Sequence, residues 1–423
     1  MQRYESYKPS GVKWLGDVPA HWDVRPGFTC FKENKDRNKG LVESTVLSLS
    51  YGRIVIKPEE KLTGLVPESF EKYQLIRPGD IVIRTTDLQN DQTSLRVGYA
   101  KDKGMITSAY LGLRCHPEIN PEYMFRLLES YDALKVFYGM GSGLRQNIDF
   151  WDFKRIPVPL PPRDEQDRIV AFLVQKTAEI DAAIAKKERL IELLDEQKAI
   201  LINKAVTQGL NPDVPQHENG ISWIGKIPSH WQVMRAKYLF REIDERSVSG
   251  EEELLSVSHM TGVTPRSEKT NVYMFMAEDY SGSKLCRPND LVFNIMWAWM
   301  GALGVSDRVG IVSPSYGVYR QLKEGIFNSW YLEHLLRSTL YVAEYNKRST
   351  GLHSSRLRLY SHMFFDMELG FPPREEQDEI ERETKKQVLQ ADAVITSVQS
   401  EIEKLTELRS SLVASVVTGK MRV

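Results

Sequence analysis

Between Pro162 and Gly209 the chain runs without a glycine or proline, and its apolar positions keep a strict beat. Ile180, Ile184, Ile191, Leu194 and Leu201, with Lys187, Lys198 and Ala205 completing the register, alternate four and three residues apart. That spacing predicts one long helix with a heptad seam, and such a seam calls for a partner helix. Asp164 and Asp167 are expected to form an N-cap box and Gly209 a C′ stop. The partner lies at the other end of the chain, where Pro372-Pro373-Arg374-Glu375-Glu376-Gln377 repeats the opening Pro161-Pro162-Arg163-Asp164-Glu165-Gln166. Moving each seam position on by 211 gives Ala391, Ile395, Val398, Ile402, Leu405, Arg409, Leu412 and Val416. Even the basic interruption recurs, Lys198 answering Arg409. Two copies of one helix are expected to pack as an antiparallel coiled coil, roughly 60–65 Å long at 1.5 Å per residue.

The repeat extends beyond the helices. Trp14-Leu15-Gly16 and His21-Trp22 return as Trp223-Ile224-Gly225 and His230-Trp231. A period near 210 residues means a duplicated unit of domain plus helix rather than a solenoid. Alternation predicts strands over 46–56, with a turn at Gly52, 80–86 and 106–114 in the first half, and over 254–258, 290–305 and 311–320 in the second. Helices are predicted over 121–138 and 328–346, with Tyr123, Leu127 and Leu128 matched by Tyr331, Leu335 and Leu336. Arg77-Pro78-Gly79-Asp80 and Arg287-Pro288-Asn289-Asp290 mark the same turn. The expected class is α+β: two mixed domains, 1–160 and 211–371, alternating with long helices at 161–210 and 372–423.

The frame agrees between the halves, but the loops do not. Segments 57–73 and 264–280 share almost nothing, which suggests two sites with different preferences. Each domain ends in a polar, glycine-containing loop before its proline-stiffened entry into the long helix. The first loop carries Ser142, Arg145, Gln146 and Asn147; the second carries His353, Ser354, Ser355, Arg356 and Arg358. Arginine, glutamine and asparagine are the side chains that read guanine and adenine edges bidentately in the major groove. Arg84, Thr85 and Thr86 end one strand, and Asn294 ends its counterpart. These residues are the candidate DNA contacts, and the competing reading of each is a solvated loop residue or a helix-entry cap.

Composition narrows the chemistry. Net charge is −1, and residues 1–162, the most basic stretch, carry 23 Lys+Arg against 20 Asp+Glu. Any DNA-binding surface is therefore local, or partners supply much of the phosphate attraction. Three scattered cysteines suggest neither a disulfide framework nor a zinc site. His21-Trp22 and His230-Trp231 lack the further ligands that zinc needs and are expected to pack as caps. Phe137-Tyr138-Gly139-Met140-Gly141 matches an S-adenosylmethionine loop in letters, but it follows a helix and no Asn/Asp-Pro-Pro-Tyr/Phe tetrad exists. No phosphate-binding P-loop, esterase elbow or nuclease cluster is present, so the chain reads as non-catalytic. The polar Met1–Pro9 start and the absence of an 18-residue apolar run lead to the expectation of a cytoplasmic protein with no membrane partner.

Taken together, Trp14-Leu15-Gly16, His21-Trp22, the two Pro-Pro-Arg-(Asp/Glu)-Glu-Gln openings and the long helices ending near Thr207 and Thr418 resemble the specificity subunit of type I restriction–modification enzymes. The resemblance covers essentially the whole chain. It implies two target-recognition domains that read the halves of a gapped DNA site, and paired helices that space them and dock two modification (methyltransferase) subunits. Restriction subunits would join that core. S-adenosylmethionine, ATP and Mg2+ would be bound by the partners and no cofactor by this chain. The rival readings are a coiled-coil adaptor that binds protein only and an autonomous methyltransferase.

Overall fold

The duplicated stretches fold into duplicated elements. The computed structural model describes residues 2–58, 60, 69–91, 95–140, 147–268, 279–351 and 357–423. They form two compact units, Met1–Glu188 with Gln399–Val423, and Arg189–Val398. The long helices, Arg163–Gln208 and Arg374–Val417, therefore give one half to each unit. Sequence register separates the helices from the domains, whereas packing merges them.

In the first unit an antiparallel sheet runs in the order Phe31–Glu33, Leu111–Cys115, Ile81–Ile83, Val97–Tyr99. One face packs on the helix Pro121–Ala133, whose Tyr123, Leu127, Leu128 and Tyr131 are wholly buried. The helix is shorter than its sequence pattern suggests: Lys135 takes a left-handed φ of 60° and the chain continues as a 3-10 turn, Val136–Gly139. The stretch 46–56 is a hairpin, Leu47–Ser50 with Arg53–Ile56, turning at Gly52 as predicted, and the stretch 106–114 is divided between the strands Gly104–Ile106 and Leu111–Cys115. The proline-stiffened entry is itself a strand, Pro157–Leu160, paired among the described residues with Asp23–Pro26 alone, an edge position that tolerates proline.

Glu165 and Gln166 of the Pro-Pro-Arg-Asp-Glu-Gln opening fasten the long helix to this domain. The Glu165 carboxylate accepts from Tyr4 OH at 2.7 Å and Trp22 Nε1 at 3.2 Å, and lies 2.8 Å from His21 Nε2. Gln166 donates to the Pro161 carbonyl at 2.9 Å and accepts from Asn120 N at 2.8 Å, where Asn120 caps the shorter helix. Asp167 takes Asn120 Nδ2 at 2.6 Å and Arg163 Nε at 3.0 Å, while Asp164 pairs with Arg168 at 2.8 Å. The N-cap box expected of Asp164 and Asp167 is thus not formed; the helix already begins at Arg163 and both carboxylates serve other partners.

The end of the C-terminal helix closes the same core. Val413, Val416, Val417 and Met421 are buried among Trp22, Tyr123 and Leu173. Each buried aliphatic side chain contributes roughly 1.5–3 kcal/mol. The Tyr123 hydroxyl donates to the Pro159 carbonyl at 2.6 Å and lies 3.2 Å from that of Val417, so it reaches a carbonyl left without a partner at the helix end. Gly419, at φ 75°, sits where a Cβ would fall 2.2 Å from Pro19 Cδ.

The second unit repeats this scheme. Its sheet runs Phe240–Glu242, Gly317–Gln321, Leu291–Phe293, Leu303–Val305. Glu376 lies 2.6 Å from His230 Nε2 and accepts from Trp231 Nε1 at 3.2 Å; Gln377 binds the Pro372 carbonyl and Asn328 N; Tyr331 OH reaches the Val206 carbonyl at 2.9 Å. The turns predicted to match do so in detail. Asp80 and Asp290, both buried, accept the backbone N–H of Arg77 and Arg287 and take Arg114 and Arg320 bidentately at 2.7–2.8 Å. Three predicted elements are divided, among them 311–320, which is two strands, Gly310–Val312 and Gly317–Gln321. The stretch 290–305 is two strands joined by a loop with a 3-10 turn at Ala298–Met300, because Gly301 turns at φ 82°. The stretch 328–346 is two helices, Ser329–Leu336 and Thr339–Arg348, broken at Ser338.

Candidate nucleic-acid interface

In the first unit two segments meet at one end of the sheet: the loop that follows the strand Ile81–Ile83, and Asn147–Ile148. They are tied by Ile148 N donating to the Thr85 carbonyl at 3.0 Å and by Asp87 N donating to Asn147 Oδ1 at 3.1 Å. Asp87 adopts φ 61°, a conformation that aspartate tolerates, and accepts from Asn90 Nδ2 at 2.8 Å. Arg84 pairs with Asp91 at 3.0 Å and stays about one-third exposed. Beneath the loop lies Arg96, wholly buried, with N–H groups directed at the carbonyls of Arg84, Thr86, Asp87 and Asp91. Its backbone N–H donates to Asp132 Oδ2 at 2.6 Å, and burial holds that carboxyl above its ordinary pKa.

The second unit makes the same junction with other side chains. Leu359 N donates to the Ile295 carbonyl at 3.0 Å, the counterpart of the Ile148–Thr85 bond. Thr350 and Arg358 exchange two backbone hydrogen bonds at 3.1 and 2.9 Å, which leaves the Arg358 side chain exposed at the loop base. The strand-end loop carries Trp297, 47% exposed and stacked on Trp299 with centroids 5.9 Å apart.

The candidate contacts are therefore unequal. Arg84, Thr86, Asn147 and Arg358 lie on the paired loops with accessible surface. Thr85 is 6% exposed and serves through its carbonyl. Asn294, also 6% exposed, turns inward: Nδ2 donates to Tyr316 OH at 2.9 Å and Oδ1 accepts from Met296 N at 3.3 Å, so its amide is committed to holding the loop. Ser142, Arg145, Gln146, His353, Ser354, Ser355 and Arg356 lie outside the described residues. Sequence reasoning missed Arg96 and Trp297. An isolated arginine before a strand reads as surface, whereas the Trp297/Trp299 pair in a loop was a visible signal.

On the long helices Ile395 is buried, and Ile180, Ile184, Ile191, Leu194, Leu201, Ile402, Leu405 and Leu412 are partly buried. In the first unit Arg409 Nε pairs with Asp181 at 3.0 Å and Lys187 with Glu401, so numbers rise along one helix as they fall along the other. In the second, Lys198 binds Asp195 at 2.8 Å and Asp392 at 2.6 Å; those carboxylates, Asp195 foremost, raise the ammonium pKa. The polar interruptions of the seam are thus paired rather than orphaned. Away from the seam the helices expose Val174 and Leu408 in the first unit, and Leu190, Leu193, Ile200, Leu389 and Val394 in the second. Among the described residues no cluster of three or more His, Cys, Asp or Glu could hold a metal ion, and no helix is long and apolar enough to cross a membrane.

No family model matches the chain. A putative type I restriction enzyme MjaX specificity subunit from Methanocaldococcus jannaschii is 27% identical over 236 residues, 52% of this chain and 53% of that relative. The chain thus spans about half the length of this relative. The type I restriction enzyme MjaVIII specificity subunit of the same organism is 23% identical over 378 residues, 83% of each chain. Among solved structures, a chain from a study of complex assembly and conformational transition of the type I R-M system superposes with a TM-score of 0.63, at 15% identity, over 96% of this chain and 99% of that one. The HsdS subunit from Thermoanaerobacter tengcongensis gives 0.51, at 16% identity, over 96% and 98%. The likeness to these structures establishes the fold, and the curated relatives that the chain resembles are specificity subunits of type I restriction enzymes.

Proposed function

We propose that this chain is the DNA-reading subunit of a restriction–modification complex, and that its two domains each read one half of a gapped site. It is a non-catalytic component. The observation that carries the reading is the repeated loop junction, Ile148–Thr85 and Leu359–Ile295, in which one frame presents unlike side chains. In the first domain Arg84 and Asn147, with Arg145 and Gln146 of the adjoining segment, supply donors and acceptors suited to major-groove base edges. In the second, Arg358 and the neighbouring His353–Arg356 segment do so. A modest net charge is compatible with this role if partner subunits bind much of the phosphate backbone.

The long helices act as spacer and docking surface. Two linked half-site readers gain affinity through effective concentration only when the gap matches the linker. The exposed apolar residues Leu190, Leu193, Ile200 and Leu389 are suited to covering by partner subunits, here two modification subunits, with restriction subunits joining them. S-adenosylmethionine, ATP and Mg2+ belong to those partners, and the complex works in the cytoplasm, where the DNA is.

Removing one heptad from each long helix, with the seam kept in register, shortens the spacer by about 10 Å. The methylated motif should keep both half-sites and lose about three base pairs of gap, at 3.4 Å each. An unchanged gap would refute the spacer role.

A further inference from the structure

The first domain buries an arginine that the second lacks. Arg96 is wholly buried, yet no carboxylate receives its guanidinium in any hydrogen bond of the described residues. Nε donates to Tyr138 OH at 3.1 Å, Nη1 to the carbonyls of Thr86 at 2.8 Å and Arg84 at 3.3 Å, and Nη2 to those of Asp87 at 3.2 Å and Asp91. Tyr138 OH in turn donates to the Asp91 carbonyl at 3.1 Å, and its ring lies 5.4 Å from the guanidinium carbon. Burying a charge in this way is costly unless every donor is satisfied. The fold does not need it, since the corresponding position of the second domain is Ala302: Arg84 N donates to the Arg96 carbonyl at 2.8 Å as Asn294 N donates to that of Ala302 at 3.0 Å.

What differs is the loop. Eleven residues separate Arg84 from Arg96, and seven separate Asn294 from Ala302. The shorter loop closes on itself through the Ala298–Met300 turn and Gly301. In the longer one, inward-facing carbonyls converge on a single planar fork of N–H donors. A lysine, with three donors on one point, does not reproduce that fork. We propose that Arg96 is a positioning residue that holds the 84–91 loop preformed, and that it sets selectivity for the first domain's half-site alone. This rests on the reading that each domain reads one half-site.

The test uses the full chain assembled with its modification subunits. Methylation rates are compared on duplexes carrying the intact site and on duplexes with one base pair changed in either half. Arg96→Lys should reduce discrimination at one half-site by about tenfold or more, the loss of one well-placed base contact, and leave the other within about twofold. Tyr138→Phe, which removes one acceptor and keeps the fold, should weaken the same half-site by a smaller factor. A role in folding alone has no means of choosing a half-site. If discrimination falls equally in both halves, or in neither, the inference is overturned. If Arg96→Lys prevents assembly, Tyr138→Phe decides, and unchanged ratios there overturn it too. A wild-type complex showing no two-part selectivity would overturn the underlying reading, and this inference with it.

Discussion

Glu165→Ala should loosen the first unit more than Glu376→Ala loosens the second. Three donors meet on the Glu165 carboxylate, from Tyr4, His21 and Trp22, and its side chain is only 8% exposed. Trp22 is wholly buried, so its indole N–H would be orphaned at a cost of about 1–3 kcal/mol. Tyr4 and His21 can turn to water, and their lost bonds cost about 0.5–1.5 kcal/mol each. The total is about 2–6 kcal/mol. Glu376 holds only His230 and Trp231 and is 28% exposed, so its loss should cost about 1–2 kcal/mol. A single unfolding free energy is poorly defined for a chain of two units, so hydrogen exchange resolved by segment is the suitable assay. At tenfold per 1.4 kcal/mol, Glu165→Ala should speed exchange of the Tyr123–Leu128 amides by roughly 30-fold at least and up to about ten-thousand-fold. Glu376→Ala should speed exchange around Tyr331–Leu336 by roughly tenfold. Equal effects, or a larger one from Glu376→Ala, would refute the reasoning.

Gly419→Ala should destabilise the first unit more than Gly209→Ala destabilises the second. Both incur left-handed strain of about 1–2 kcal/mol, but only at Gly419 does the new Cβ fall 2.2 Å from Pro19; at Gly209 the nearest atom is 3.4 Å away. Segment-resolved exchange measures both, and equal destabilisation would count against the tight seating of the helix end. Burial pushes the Cys115 thiol up to about 12 and that of Cys286 to about 11, and raises Cys30. All three should stay protonated at pH 8 and react with a disulfide reagent only after denaturation; fast labelling of the native chain would contradict this. Arg145→Ala should weaken or relax one half-site by about 1–3 kcal/mol if the residue makes a bidentate base contact, and binding titrations against sequence variants would show it. A uniform loss over all sequences would make it a phosphate contact.

Much of the fold was legible because duplication checks every assignment twice. The heptad positions from Ile180 to Leu201 and from Ile395 to Leu412 fall on the less exposed stripe of each helix. The matched Arg-Pro-x-Asp turns locate the buried Asp80–Arg114 and Asp290–Arg320 pairs. What was not legible depends on partners distant in sequence. Asn294 ends a strand like Arg84, but its partner Tyr316 stands 22 residues away and draws the amide inward. Asp164 and Asp167 have the letters of a cap, yet Asn120 competes successfully for Asp167. Arg96 has the letter of a surface residue and the burial of a core one, because its acceptors are backbone carbonyls, which the sequence does not distinguish.

The central claim is that one chain reads two half-sites through two unlike copies of one frame. Modified-base sequencing of DNA from cells expressing this chain with its neighbouring modification subunit tests it most directly. Methylation confined to a two-part motif with a fixed gap is the result predicted. Methylation in one uninterrupted motif would contradict separate half-sites, and an assembled complex that methylates nothing would favour a protein-binding adaptor instead.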